Sequence, residues 1–103
     1  GRFVLALFCG AVTPDTATRE ALQRLARGPV PVHIILISDG SAALTVSDDF
    51  TVVQDDRACL TQRYDARPGT CYLLRPDQHI AARRREFDEA VMNTALQRAL
   101  GLA

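Results

Sequence analysis

Few side chains in this sequence can do chemistry: three cysteines, Cys9, Cys59 and Cys71, and two histidines, His33 and His79. Cys9 has the most suggestive setting. It follows an apolar run and precedes a helix start, in the order Cys9-Gly10-Ala11-Val12. Amides exposed at a helix amino terminus acidify a nearby thiol, and the thiolate is the nucleophile in thiol chemistry. Val12 stands where the second sulfur of a Cys-x-x-Cys pair would be, which excludes dithiol exchange at this site. Two readings stay open. One is a one-cysteine peroxidatic or glutathione-dependent role; the other is a small buried cysteine that closes a strand.

A second group is Arg75, Asp77 and His79, which converge on the tip of a Pro-containing hairpin. They read either as a small polar site or inter-domain contact, or as a turn that Asp77 organises while Arg75 and His79 are solvated. His33, between Val32 and Ile34, reads as a hydrogen-bonded strand histidine, and the histidines and cysteines lack zinc-ligand spacing. Arg83-Arg84-Arg85 has no accompanying aromatic platform and reads as a solvated edge rather than a nucleic-acid patch. No GxGxxG, Walker or GxSxG pattern occurs, so no catalytic, cofactor-binding or metal residue is assigned. The candidate redox or contact residues are Cys9, Arg75, Asp77 and His79.

The elements that must position these groups belong to one domain, residues 1–103. A hydrophobic content of 48% with 23% charge is ordinary for a globular chain and excludes a disordered one. Twelve basic and twelve acidic residues cancel, so no global field favours nucleic acid or an anionic membrane as partner. Every basic residue is Arg, which reads as a coding bias of high-GC genomes. An odd cysteine count suggests no disulfide framework and fits a reduced, cytoplasmic setting. There is no signal-peptide pattern and no apolar run long enough to span a bilayer. The apolar start within two residues of Gly1 suggests a domain cut from a longer protein.

Residues 3–8 (FVLALF) predict a central strand covered on both faces. Thr13-Pro14-Asp15 predicts a helix start with Thr13 as the cap; Ala17, Ala21, Leu22, Leu25 and Ala26 follow at helical spacing, and Gly28-Pro29 ends the helix. Residues 30–37 predict a second strand, parallel to the first. Residues 43–46 and 50–53 read as short edge strands or a packed loop. A short helix is expected over 55–64, with Ala58, Leu60 and Cys59 turned inward. Residues 71–74 predict a buried strand, 75–78 a tight turn, and 79–83 a return strand with Ile80 and Ala82 on one face. A last helix is expected over 86–100. This β-α-β-(α)-β-β-α order predicts an α/β, thioredoxin-like layout. Its sheet would be mixed and four-stranded, a parallel pair plus a C-terminal hairpin, with helices on both faces. In that layout Cys9 falls where Cys-Gly-Pro-Cys is carried, and Pro68 near the cis-proline position, offset by one residue.

The run Arg63-Tyr64-Asp65-Ala66, Pro68-Gly69-Thr70, Tyr72-Leu73-Leu74-Arg75-Pro76-Asp77-Gln78-His79-Ile80 and Ala82-Arg83 carries a family resemblance. It resembles the C-terminal thioredoxin-like domain of FAD-dependent aromatic hydroxylases, the class A flavoprotein monooxygenases related to phenol hydroxylase and 3-(3-hydroxyphenyl)propionate hydroxylase. Residues 1–7 are similar to the opening of that domain, and residues 59–85 carry the resemblance most strongly. The family commonly has an aromatic residue near Arg84, where this sequence departs. The resemblance implies a parent enzyme that uses FAD and NAD(P)H to insert one oxygen atom of O₂ into a phenolic ring. It implies flavin and substrate domains that precede this segment and are its partners, and a tail that serves domain packing or homodimer contacts. The expected function is thus a non-catalytic C-terminal domain. A monothiol redox protein using Cys9 and a free-standing interaction module are the alternatives.

Overall fold

In the computed structural model, which describes residues 2–41, 43, 44, 46 and 49–101, the first apolar run is strand β1 (Phe3–Gly10). It is followed by helix α1 (Thr16–Ala26), strands β2 (Val32–Ser38) and β3 (Thr51–Gln54), and helix α2 (Cys59–Arg63). The hairpin strands β4 (Cys71–Leu74) and β5 (Ile80–Arg84) and helix α3 (Glu89–Ala99) complete the fold. Strand order is β3-β2-β1-β4-β5, which puts the most apolar strand in the middle. β1 runs parallel to β2 and β2 parallel to β3, while β4 is antiparallel to both β1 and β5.

The sheet therefore has five strands, not four. β3 was hard to read because it is a short edge strand: only Val53 of its four residues is half-buried, and an exposed edge needs no apolar run. The expected strand at 43–46 contains Thr45, which lies outside the described residues; residues 43, 44 and 46 belong to no strand.

Strand alternation divides the apolar side chains between two layers. Phe3, Leu5 and Leu7 of β1, with Ile34 and Leu36 of β2 and Leu73 of β4, meet Leu22 and Leu25 of α1 and Met92 and Leu96 of α3. Leu5, Leu22, Ile34, Leu36, Leu73 and Met92 are fully buried. Each such side chain contributes about 2 kcal/mol of transfer free energy. The opposite layer is smaller: Phe8, Ile37 and Tyr72, covered by Leu60 and Tyr64 in and beside α2. Helices lie on both faces as expected, but one face carries two 11-residue helices and the other a five-residue helix.

Several boundaries differ from the sequence reading, each for a local reason. α1 is capped by Asp15, whose carboxylate accepts from Thr18 N at 2.8 Å; Thr13 and Pro14 precede the cap. α3 begins at Glu89 because Asp88 caps it through Val91 N, so residues 86–88 are not helical. α2 is shorter than 55–64 because Ala58 takes a left-handed φ of 54°, and Cys59 is exposed rather than turned inward. The return strand begins at Ile80, not His79, and is bulged: Leu74 pairs with Ile80 but Leu73 with Ala82. The extra residue changes the facing, so Ala81 and Ala82 both pack on the main core while Ile80 is exposed.

Candidate functional site

Cys9 lies near the carboxyl end of β1, half-buried, its Sγ donating to Leu7 O at 3.6 Å. It borders an open cleft formed by Val12, Pro14 and Thr18 on one side and Gly69 and Phe87 on the other. Burial pushes the Cys9 thiol up to about 11, only partly offset by a backbone hydrogen bond from Ile37. The Thr18 amide at the start of α1 is not free to oppose this, since Asp15 already takes its hydrogen bond. A thiol so raised stays protonated at neutral pH and is a weak nucleophile.

The other sulfurs do not come to its aid. Cys71 is buried, its thiol pushed up to about 12 by desolvation, and Cys59 is exposed on α2; all three cysteines are free. Pro68 packs beside Gly10, next to Cys9, and its peptide bond is trans. Among the described residues no group of three His, Cys, Asp or Glu side chains forms a metal site. No described helix is long and apolar enough to cross a membrane.

Arg75, Asp77 and His79 do come together. Arg75 Nη2 lies 2.9 Å and His79 Nδ1 3.2 Å from Asp77 Oδ2, while Asp77 Oδ1 accepts from His79 N at 3.1 Å. The backbone bond from His79 and then its side chain hold the Asp77 carboxyl below the usual range, with Arg75 adding to the effect. All three residues are exposed. The geometry is that of an acid organising its own turn in water, with the Arg75 guanidinium and the His79 ring drawn to it.

The strand register keeps these two groups apart. β4 runs against β1 with Leu74 opposite Val4 and Cys71 opposite Leu7. The hairpin tip therefore lies past the amino end of β1, and Cys9 lies at its carboxyl end, roughly 20 Å away at about 3.3 Å per residue. They cannot form one site. His33 donates to or accepts from Thr51 Oγ1 at 3.1 Å, a strand histidine with a partner.

Functional-looking contacts that the sequence reading missed centre on arginines. Arg85 reaches Asp65 O at 2.7 Å and Asp65 Oδ2 at 3.2 Å; Arg83 reaches the same carboxylate at 3.5 Å while covering the Tyr72 ring. The Arg85 bond and charge, then those of Arg83, hold Asp65 below the ordinary carboxyl range. Arg84, between them, points to the opposite face and lines a groove against α3. Period-two alternation in Arg83-Arg84-Arg85 was the available signal.

Compared with known proteins, the chain matches no family model and no curated protein sequence.

Proposed function

We propose that this chain is a thioredoxin-like domain without a redox centre, serving as the C-terminal packing domain of a cytoplasmic FAD-dependent aromatic monooxygenase. The observation that carries the reading is the thinly covered face of the sheet. Val4, Ala6, Ile35, Val53 and Leu74 remain only half-buried there and line an apolar hollow of about 190 Å3 beside α2. Surface of this kind is what a neighbouring domain or subunit covers. Connectivity supports it too: β1 flanked by parallel β2 and antiparallel β4, with a hairpin and a final helix, is the arrangement the resemblance implies, and β3 is an added edge. The protonated Cys9 thiol with Val12 in place of a second sulfur favours packing over monothiol catalysis.

On this reading FAD, NAD(P)H and the phenolic substrate are bound by preceding domains, and this segment contributes contacts to them or to a second subunit. The test is to purify the complete product of the reading frame that encodes this chain, together with the 103-residue chain alone. The complete product should carry flavin and oxidise NAD(P)H when a phenol is supplied; the 103-residue chain should leave FAD fluorescence unquenched. A complete product without flavin, or saturable FAD binding by the short chain, sinks the proposal.

A further inference from the structure

A concavity of about 740 Å3 runs between β5 and α3, apart from Cys9 and meeting the hairpin tip only at Arg75. Small side chains line it, Ala82 on β5 and Val91, Ala95 and Ala99 on α3, and leave the space between strand and helix unfilled as an open trough. Four arginines, Arg75, Arg83, Arg84 and Arg98, stand along it, and no acidic residue lines it among the described residues. In a chain with zero net charge this is a local concentration of cation. Arg75 and Arg83 are engaged with Asp77 and Asp65, whereas the guanidinium groups of Arg84 and Arg98 have no hydrogen bond or ion pair among the described residues.

The trough also borders an open sheet edge. β5 is the last strand, so one of its sides pairs with β4 and the other presents unpaired backbone groups. Such an edge accepts another strand, whose alternate side chains point to the two sheet faces. On the α3 side they would meet the alanine lining, Arg84 and Arg98; on the other, Arg83. A second copy of this chain is a poor occupant, because pairing β5 with β5 about a two-fold axis brings arginines against arginines.

We propose that the β5–α3 groove binds an extended acidic protein segment, added as a sixth strand on β5, with carboxylates paired to Arg84 and Arg98. Small or apolar residues of the segment would lie on the alanine lining, and guanidinium–carboxylate pairs would set its register. The inference does not rest on the flavoprotein reading.

The experiment titrates the 103-residue chain into a fluorescein-labelled peptide of alternating Glu and Val and follows anisotropy, with amide shifts monitored by NMR. Saturable binding is expected, with shifts over residues 80–84 and along α3. Affinity should fall about tenfold between roughly 50 and 500 mM salt, and about tenfold or more in Arg84→Glu/Arg98→Glu. Both residues are exposed, so that variant should fold; Arg84→Gln/Arg98→Gln, with a smaller loss, checks that charge is the cause. Equal binding of a Lys/Val peptide, or unchanged affinity in both double variants, overturns the proposal. So does equal binding of a backbone N-methylated Glu/Val peptide, which excludes strand addition. Tripolyphosphate reproducing the same shifts and displacing the peptide completely at equal concentration would mean an anion patch only, which also overturns it.

Discussion

Gly10 and Pro68 are pressed together at the carboxyl end of β1: a Cβ added to Gly10 would come within 3.2 Å of Pro68 Cγ, and Gly10 itself has a φ of +63°. Two independent costs therefore oppose any side chain there, left-handed strain and contact with a rigid ring. Gly10→Ala should destabilise the fold by about 1–2 kcal/mol in urea denaturation. Gly101→Ala is the control, since Gly101 has a φ of +74° but nothing within 4 Å of a new Cβ. Equal losses in the two variants would show that the Pro68 contact does not matter.

Asp55 ties the end of β3 to α2 and should make stability sensitive to acid. Its carboxylate accepts from Leu60 N at 3.0 Å, Thr61 N at 2.9 Å and Thr61 Oγ1 at 2.8 Å, and the residue is only 6% exposed. Desolvation acts to raise its pKa, but the bonds from Thr61 and Leu60 together outweigh it and the net shift is downward. A carboxyl whose folded pKa is depressed adds stability that is present above its unfolded value and lost as pH falls toward its folded value. Melting temperature should thus fall as pH drops below about 4. Asp55→Asn should lower it by roughly 5 °C at pH 7 and flatten that acid limb. An Asp55→Asn variant with an unchanged acid limb would place the pH dependence elsewhere.

The parts of the fold legible in the sequence were those with a strong local signal. β1, β2 and β4 are apolar runs because one face is buried under α1 and α3 and the other carries the smaller apolar layer beside α2. α1 and α3 show an apolar stripe because each has one wet face. β3 stayed ambiguous between an edge strand and a packed loop because an exposed strand of four residues leaves too few apolar positions to decide. α2 was drawn too long because Asp55 caps it from outside the helix, across the left-handed Ala58. The same division holds for the sites. Arg75, Asp77 and His79 were legible as a cluster because one tight turn brings them together. Their separation from Cys9 depends on the β1–β4 register, and which sheet face Arg84 takes on the β4–β5 register, which composition does not encode.

Thiol reactivity should follow burial rather than position on the chain. Cys59 is exposed, Cys9 half-buried with its thiol raised to about 11, and Cys71 buried with its thiol raised to about 12. At pH 7 the Cys9 thiol is held in its protonated form. Iodoacetamide at pH 7 should therefore label Cys59 first, with Cys9 labelled only toward pH 10–11 and Cys71 only on unfolding, as read by peptide mass mapping. Labelling of Cys9 at the Cys59 rate below pH 8 would revive a monothiol redox role and count against the packing-domain reading.

Tyr72 should be the residue on which the smaller core layer depends, through its ring more than its hydroxyl. Its ring lies edge-on to Tyr64 at 5.1 Å and to Phe8 at 6.5 Å, and its hydroxyl donates to Tyr64 O at 2.6 Å. Arg83 covers its outer side at 5.5 Å. Tyr72→Phe keeps the ring contacts and removes one donor, leaving the Tyr64 carbonyl short of a partner. The expected loss is about 1 kcal/mol. Tyr72→Ala opens a cavity between β4 and α2 and should cost about 3–5 kcal/mol. Because α2 is held to this face mainly through Leu60 and Tyr64, amide exchange over residues 59–64 should accelerate in Tyr72→Ala more than exchange in α1 or α3. Uniform acceleration across all three helices would mean that α2 unfolds only with the whole domain, and that its thin layer is no weaker than the main core.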